Sequence, residues 1–584
     1  VWAPHAKYVS VVGNFNHWQG SDHQMEKQAE TGVWSLFIPA LDEGEVYKYE
    51  IETITGERLQ KADPFAFYSE LRPNTASVVY ELAGYLWQDE VWCAQRKQVP
   101  DHPALIYEVH LGSWKRKEDG GFYTYRELVD DLVPYLQEMG FTHLELLPIM
   151  EHPFDGSWGY QVTGYYAATS RFGTPHDLMY LVDRCHQAGI FVILDWVPGH
   201  FCKDTHGLAR FDGTYLFEDE EHDEWGTYKF DFSRTEVWSF LISNALFWLD
   251  CFHFDGLRVD GVTSMLFRNH GTREQRRRTN LLGKFENDDA VTFIRTLNSV
   301  VFQYHPDVLM IAEESSDWPL VSRPSYDGGL GFSYKWNMGW MNDTLRYIKT
   351  PFQQRGSVHQ LLTFSLMYAF SENFILPFSH DEVVHGKRSM INRMPGDYWQ
   401  KFAGLRTLYL YLLCHPGKKL LFMGAEIGQF IEWRENSELD WFLLDYEAHR
   451  KHQHYVMEAN RLYQSEKSLW QVDHEWPGFE WIDVHNYQQS IISFVRQGHC
   501  KKEFLIIILN FQPHSYTDFW LGVPESGIYE EIFNTDRTEY GGAGRGNPWP
   551  IPSKPVTMHD RENAICCAVP PLGGVIFKRI PTYI

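Results

Sequence analysis

A chain of 584 residues is too long for one hydrophobic core, so two to four domains are expected, one of them as large as a barrel. Hydrophobic residues at 44% and charged residues at 22% exclude an extended disordered tract. A formal charge of −25 excludes nucleic acid and anionic membrane, which are held mainly through Lys and Arg, and favours a neutral ligand. The aromatic share of 16% suits stacking on flat apolar faces such as those of sugars. Eight cysteines in no dense pattern, with only Cys566 and Cys567 adjacent, read as free thiols of a reducing compartment, so a cytoplasmic location is expected. The longest apolar run, "FLIIIL" at 504–509, falls far short of the ~20 residues that cross a bilayer, and no basic-then-apolar leader opens the chain at Val1.

In chain order, the first ninety or so residues alternate short β-rich runs ("YVSVVGNF", "GVWSLFIPAL", "VYKYEIET") with turn residues, which predicts an antiparallel sandwich over 1–95. Within it, Trp18 and Trp34 are either glucan-stacking or core residues. The polar, proline-bearing "DEVWCAQRKQVPDHPAL" reads as a linker. From 104 the rhythm changes to near-continuous apolar runs separated by helix-like stretches: "ALIYEVHLG", "HLELLPI", "FVILDWV", "FDGLRVDGV", "VLMIAEE", "NFILPFSHDE" and "KKLLFMGAE". Such strands belong to a parallel sheet covered on both sides. "TYRELVDDLVPYLQEMG" carries Leu128, Leu132 and Leu136 at helical spacing and Gly140 where a C-cap stands. Seven strands are clear, and an eighth is expected within "GFSYKWNMGWMNDTLRY". No glycine-rich phosphate turn follows the first strand, so a (β/α)₈ TIM barrel over 104–470 is favoured over a doubly wound sheet. After "ANRLYQSEKSLW", the runs "SIISFVRQ", "EFLIIILNF" and "GGVIFKRI" predict a C-terminal antiparallel β domain over 471–584.

A barrel of this kind carries its reactive groups where strands end. Those ends supply Asp195 and His200 ("DWVPGH"), Arg258 and Asp260 ("GLRVD"), Glu313 and Glu314 ("AEE"), and His380 and Asp381 ("SHDE"). Glycoside chemistry needs two carboxyl groups about the scissile bond, one ionised and one a proton donor, and Asp260 and Glu313 can fill those parts. Arg258, two residues before Asp260, projects to the same side of the strand, where a guanidinium keeps the carboxylate charged. Asp255 is out of phase with both and caps or braces the strand.

"DWVPGH", "GLRVDGV", "IAEES" and "FSHDEVVHGK", in this order, resemble the motifs of the α-amylase family of glycoside hydrolases. "YEVHLGSW", "SWGYQVTGYYA", "RFGTPHDL", "MPGDYWQKFA" and "GKKLLFMGAEIGQ" are similar to its glycogen (1,4-α-glucan) branching members, and "VWAPHAKYVSVVGNFNHW" resembles the carbohydrate-binding module before their barrel. The resemblance implies that Asp260 is the nucleophile, Glu313 the general acid/base and Asp381 the transition-state stabiliser, with Glu314 a bystander. It also implies that Tyr160 stacks under the sugar while Asp195, His200, Arg258 and His380 hold its hydroxyls and the nucleophile. An α-1,4-glucan such as amylose, glycogen or starch is then donor and acceptor, and a monomer is expected.

Related hydrolases often carry a calcium-binding asparagine where this chain has Gly199, so no metal and no cofactor are expected. "HDEVVH" lacks an open three-ligand zinc set. The stretch 267–287 ("FRNHGTREQRRRTNLLGKFEN") is basic where a more neutral loop is expected; it is either a solvated loop or a wall of the substrate groove. The nearest rival activity is hydrolysis or debranching with the same three acids, and a further one is non-catalytic glucan binding.

Overall fold

The computed structural model describes residues 1–96, 102–273 and 278–581. The N-terminal part is an antiparallel five-stranded sheet with a separate two-stranded hairpin. Tyr8–Gly13 runs against Val46–Glu52, which also pairs with Arg58–Lys61 and Ser77–Val78. Val9 and Ile51, paired across the first two of these strands, are buried in one cluster with Trp34. Trp34 is therefore core, its indole N–H donating to the Ala3 carbonyl at 2.9 Å, whereas Trp18 stays half-buried at the surface with a left-handed φ of 60°.

The expected linker is more ordered than its composition suggests. Residues Glu90–Gln95 form a helix, because Trp92 stacks on His186 at 5.2 Å and donates to Asp255 at 3.0 Å; residues 97–101 of the stretch lie outside the described residues.

Eight parallel strands close into a barrel in chain order: β1 (Leu105–Val109), β2 (His143–Leu146), β3 (Phe191–Trp196), β4 (Gly256–Val259), β5 (Leu309–Ala312), β6 (Tyr334–Trp336), β7 (Phe374–Phe378) and β8 (Lys418–Phe422). The strand foreseen in the tyrosine- and tryptophan-rich segment is β6. Ile106, Ile193, Ile311, Trp336, Ile375 and Leu420 fill the interior, so the barrel is a packed core and not a pore. Helix α1 (Tyr125–Met139) starts at a Thr124–Glu127 capping box, stops at Gly140 with φ 74°, and buries Leu128, Leu132 and Leu136 completely. Among the described residues six more long helices follow: α2 (Pro175–Gln187), α3 (Thr235–Cys251), α4 (Asp288–Tyr304), α5 (Met338–Lys349), α6 (Tyr398–Cys414) and α7 (Glu447–Ser465).

One crossover departs from the expected alternation. Between β5 and β6 the chain makes only a short 3-10 turn, Ser325–Asp327, because Pro319, Pro324, Gly328, Gly329 and Gly331 deny it a helix. Glu372 fixes this connection by accepting from the Val321 and Ser322 amides at 2.9 and 2.7 Å.

Asp255 sits at the entrance to β4, far from the strand's functional end. Its carboxylate accepts from the Val192 amide at 2.7 Å, His186 at 3.0 Å and Trp92 at 3.0 Å. Burial pulls the His186 pKa down, but Asp255 and Asp89 on its two ring nitrogens outweigh burial and lift it to about 9. The out-of-phase aspartate is thus a brace that ties the preceding helix to the base of β3 and β4.

In the C-terminal part, a six-stranded antiparallel sheet places Ile491–Gln497, Phe504–Asn510 and Gly573–Arg579 side by side, and Tyr516–Val523 pairs with Asn563–Val569. Ile506, Leu521, Ile565 and Phe577 form its core. Buried Asp473 joins this part to the barrel by pairing with Arg496 at 2.7 Å and Lys418 of β8 at 3.1 Å.

Candidate active site

Three of the four strand ends singled out in the sequence, those of β3, β4 and β5, meet around one guanidinium, and the fourth borders the same cavity. Arg258 lies on β4 with its head buried, and its Nη1 reaches Asp195 at the end of β3 at 2.6 Å and Asp260 just past β4 at 2.9 Å. Its Nη2 reaches Glu313, the residue after β5, at 2.9 Å. One cation therefore holds three carboxyl groups, and its flat face rests 4.4 Å from the buried Trp336 ring of β6. Asp381 stands in the 3-10 turn after β7 with a partly exposed carboxylate, 3.6 Å from the His380 ring.

Their protonation differs because their surroundings differ. Burial pushes the Asp260 carboxyl up, but His200, 3.4 Å away, and Arg258 outweigh it and hold the pKa at about 2. For Glu313 burial dominates; Arg258 opposes it, but the charges of Asp260 and Asp381 add to it, and the pKa rises to about 7. Asp195 is raised to about 6, again chiefly by burial. One carboxylate is ionised and its neighbour carries a proton near neutrality, which is the division of labour that glycoside cleavage requires. Both bind the same guanidinium at 2.9 Å, one on each of its terminal nitrogens.

Tyr160 donates to Asp195 at 2.5 Å and lies 3.2 Å from His380. Together with His200, Asp260, Glu313 and Asp381 it lines a cavity of about 540 Å³, large enough for sugar rings. Every site residue inferred from the sequence therefore stands in or directly behind this cavity. Glu314 turns away from it and accepts from Lys335 at 2.6 Å and Thr263 at 3.0 Å.

Several residues in the site went unread in the sequence. Glu108, near the end of β1, grips His380 twice, through the ring nitrogen at 2.6 Å and the backbone amide at 2.9 Å. Burial lowers the His380 pKa, yet Glu108 and Asp381 reverse this and bring it to about 9, so the ring is a cation with both nitrogens donating. The strand-end rule applied to "YEVHLG" finds this glutamate. Trp225, on a hairpin after β3, lines the cavity 4.8 Å from the His200 ring and stacks on His222 at 3.7 Å. Trp158 and His385 stack at 5.4 Å along another part of its lining.

The basic stretch 267–287 is tied to the protein at several points, although Leu281 and Leu282 stand in solvent. Arg278 pairs with Asp219 at 2.8 Å and Glu220 at 3.1 Å, and the Arg273 amide donates to Asp223, so the stretch docks on the acidic hairpin that carries Trp225. Opposite charge explains the docking: "EDEEHDE" at 218–224 faces the arginines. Residues 274–277 lie outside the described residues. At Gly199 a side chain would press on Met265 at 3.1 Å, and no carboxamide oxygen stands there. Among the described residues, Asp89, Cys93 and His253 bring three donor atoms within 4.8 Å, but they lie at the base of the barrel beside the Asp255 brace.

Comparison with known proteins agrees with this arrangement. The family model "Alpha amylase, catalytic domain" matches residues 126–227, "Carbohydrate-binding module 48 (Isoamylase N-terminal domain)" residues 1–66, and "Alpha amylase, C-terminal all-beta domain" residues 481–580. The chain is 58% identical over 580 residues to the 1,4-alpha-glucan branching enzyme GlgB of Desulfitobacterium hafniense (strain Y51), covering 99% of this chain and 92% of the relative. It is 56% identical over 584 residues to GlgB of Halothermothrix orenii, covering 99% and 93%, and 55% identical over 587 residues to GlgB of Geobacillus stearothermophilus, covering 99% and 90%. A pullulanase from Paenibacillus barengoltzii complexed with maltotetraose shares the fold with a TM-score of 0.74 at 16% identity, over 100% of this chain and 93% of that one. A pullulanase from Anoxybacillus sp. LM18-11 superposes with a TM-score of 0.72 at 15% identity, over 99% and 85%.

Proposed function

We infer that this chain, which belongs to the 1,4-alpha-glucan branching enzyme family, cuts an α-1,4 glucosidic bond and passes the freed chain to a glucan 6-hydroxyl to make an α-1,6 branch. The observation that carries the reading is the pair bound to Arg258: Asp260 ionised at about 2 and Glu313 protonated to about 7. Asp260 attacks the anomeric carbon while Glu313 protonates the departing oxygen, leaving a glucosyl ester on Asp260. Glu313, now a base, takes the proton of the incoming 6-hydroxyl, whose oxygen displaces the Asp260 carboxylate. Asp381, beside the cationic His380, steadies the positive charge that develops on the ring. Tyr160 presents its face to that ring, and Asp195, His200, Arg258 and His380 hold hydroxyls and the nucleophile in place. Every step is nucleophilic or acid–base work by side chains, so the scheme calls for no metal or cofactor.

The division into 1–95, 104–470 and 471–584 gives each part of the scheme a unit: binding module, catalytic barrel and C-terminal β domain. All eight cysteines are free, which supports work in the cytoplasm, and among the described residues no helix is long and apolar enough to cross a membrane. We take the working unit to be a monomer.

Incubation with amylose tests the reading: iodine staining falls without new reducing ends if chains are transferred, whereas rising reducing ends mean hydrolysis. The pH profile gives a second check. Cleavage needs Asp260 charged and Glu313 neutral, so kcat/KM holds its full value well below the Glu313 pKa of about 7, is halved near it and falls about tenfold per unit above it. A profile flat to pH 9 contradicts the assignment.

Glu108 is a positioning residue in this scheme. Glu108→Gln keeps the shape but removes the charge that makes His380 a cation, and kcat is expected to fall about 10–100-fold. The apparent pKa values of the pH profile should move with it, which a merely structural role would not produce.

A further inference from the structure

The missing helix between β5 and β6 leaves a groove of about 670 Å³ on the outer side of the β5 end. We propose that this groove seats the acceptor glucan, holding a second chain beside the catalytic cavity so that its 6-hydroxyl, and not water, reaches the ester on Asp260. The inference rests on the double displacement proposed above.

Position comes first. Consecutive residues line the two recesses, Glu313 the catalytic cavity and Glu314 the groove. Thr263, three residues after Asp260, ties them together by donating to Glu314 and accepting from the Ser315 amide at 2.9 Å. The two recesses thus lie back to back across the end of β5.

The lining fits a neutral sugar chain. Trp318, Phe364 and Tyr368 supply rings, and Phe364, edge-on to Tyr368 at 5.9 Å, is 57% exposed. Asn342, Asp343 and Asn337 supply polar groups; Asn337 is 2% exposed and its Nδ2 has no partner among the described residues. Lys335 is spent on Glu314 at 2.6 Å, and Asp317 and Asp343 add negative charge, so an anionic ligand is disfavoured. The groove is also rigid before any ligand arrives. Glu372 bolts its connecting segment at the Val321 and Ser322 amides, Lys335 holds the Ser316 carbonyl at 3.1 Å, and Phe267, at the start of the docked basic stretch, meets the Trp318 ring at 5.7 Å. A preformed wall of this sort binds without an ordering cost.

The ester has two fates. If O6 of an acceptor attacks, Glu313 takes its proton, the bond to Asp260 breaks and a branch forms; if water attacks, the same bond breaks and a reducing end is released instead. The test uses the full chain on amylose and measures reducing ends against α-1,6 linkages for the parent, for Trp318→Ala, and for Asn342→Arg, an exposed helix position where bulk obstructs the groove without disturbing the core. Loss of one stacking contact or of free passage is expected to raise the ratio of reducing ends to branches about tenfold in both variants. A ratio that stays at the parent's value in either variant overturns the proposal, even if total turnover drops. Failure of the branching scheme itself looks different: the parent then releases reducing ends and makes no branches.

Discussion

Asp260→Ala is expected to lose on the order of 10⁵-fold or more of amylose remodelling, because no other group in the cavity stands where the anomeric carbon is attacked. Asp195 shares Arg258 but is wholly buried and engaged by Tyr160, and Asp381 lies on a different strand end. The variant should fold. Arg258 keeps Asp195 and Glu313 as partners, and three crowded carboxyl groups become two. Its chemistry then offers a sharper reading than loss alone. The vacated space, still facing Arg258 and His200, suits a small anion, so azide with a maltosyl fluoride donor should restore turnover and give the β-configured azide, since attack comes from the Asp260 face. The Asp260 charge is also one cause of the raised Glu313 pKa, so the alkaline limb of any residual activity should shift to lower pH. An Asp260→Ala protein that branches amylose at the parent's rate, or an azide product of α configuration, removes Asp260 from the nucleophile's role.

The barrel was legible because its strands are buried on both faces and read as apolar runs, and because its reactive groups stand where those runs end. Arg258 and Asp260 could be paired from a spacing of two residues alone, and their 2.9 Å contact is the geometry that spacing predicts. Asp255 could be set aside by the same parity. What the sequence hid depends on contacts between distant segments. Nothing in "YEVHLG" tells that Glu108 will meet His380, 272 positions later, nor in "HDEWG" that Trp225 will lean into the cavity. The charge of 267–287 was visible, but its meaning required the acidic hairpin it docks on. Trp92 turned an apparent linker into a helix through a stack on His186 that composition does not encode. The missing fifth helix was the converse case: its prolines and glycines were plain in the chain, yet the regular alternation around them argued for a helix.

Glu313→Gln is expected to lose about 10²–10⁴-fold on amylose, the range of a positioned proton donor, while keeping its amide on the Gly261 N–H and Arg258 in place. The loss should depend on the leaving group. Fluoride departs without a proton, so with maltosyl fluoride Asp260 still attacks and the ester still forms. Its breakdown then stalls, because no base remains to take the proton of an acceptor hydroxyl or of water. The ester should therefore accumulate on Asp260, visible as a mass increment of one maltosyl group on the peptide that contains it. Azide, which brings no proton, should discharge it. Glu314→Gln provides the contrast within the same strand end. That residue faces Lys335 and Thr263, away from the cavity, so its loss should weaken the β5–β6 connection without making turnover depend on the leaving group. If Glu314→Gln traps the ester and Glu313→Gln does not, the proton donor has been placed one residue too early.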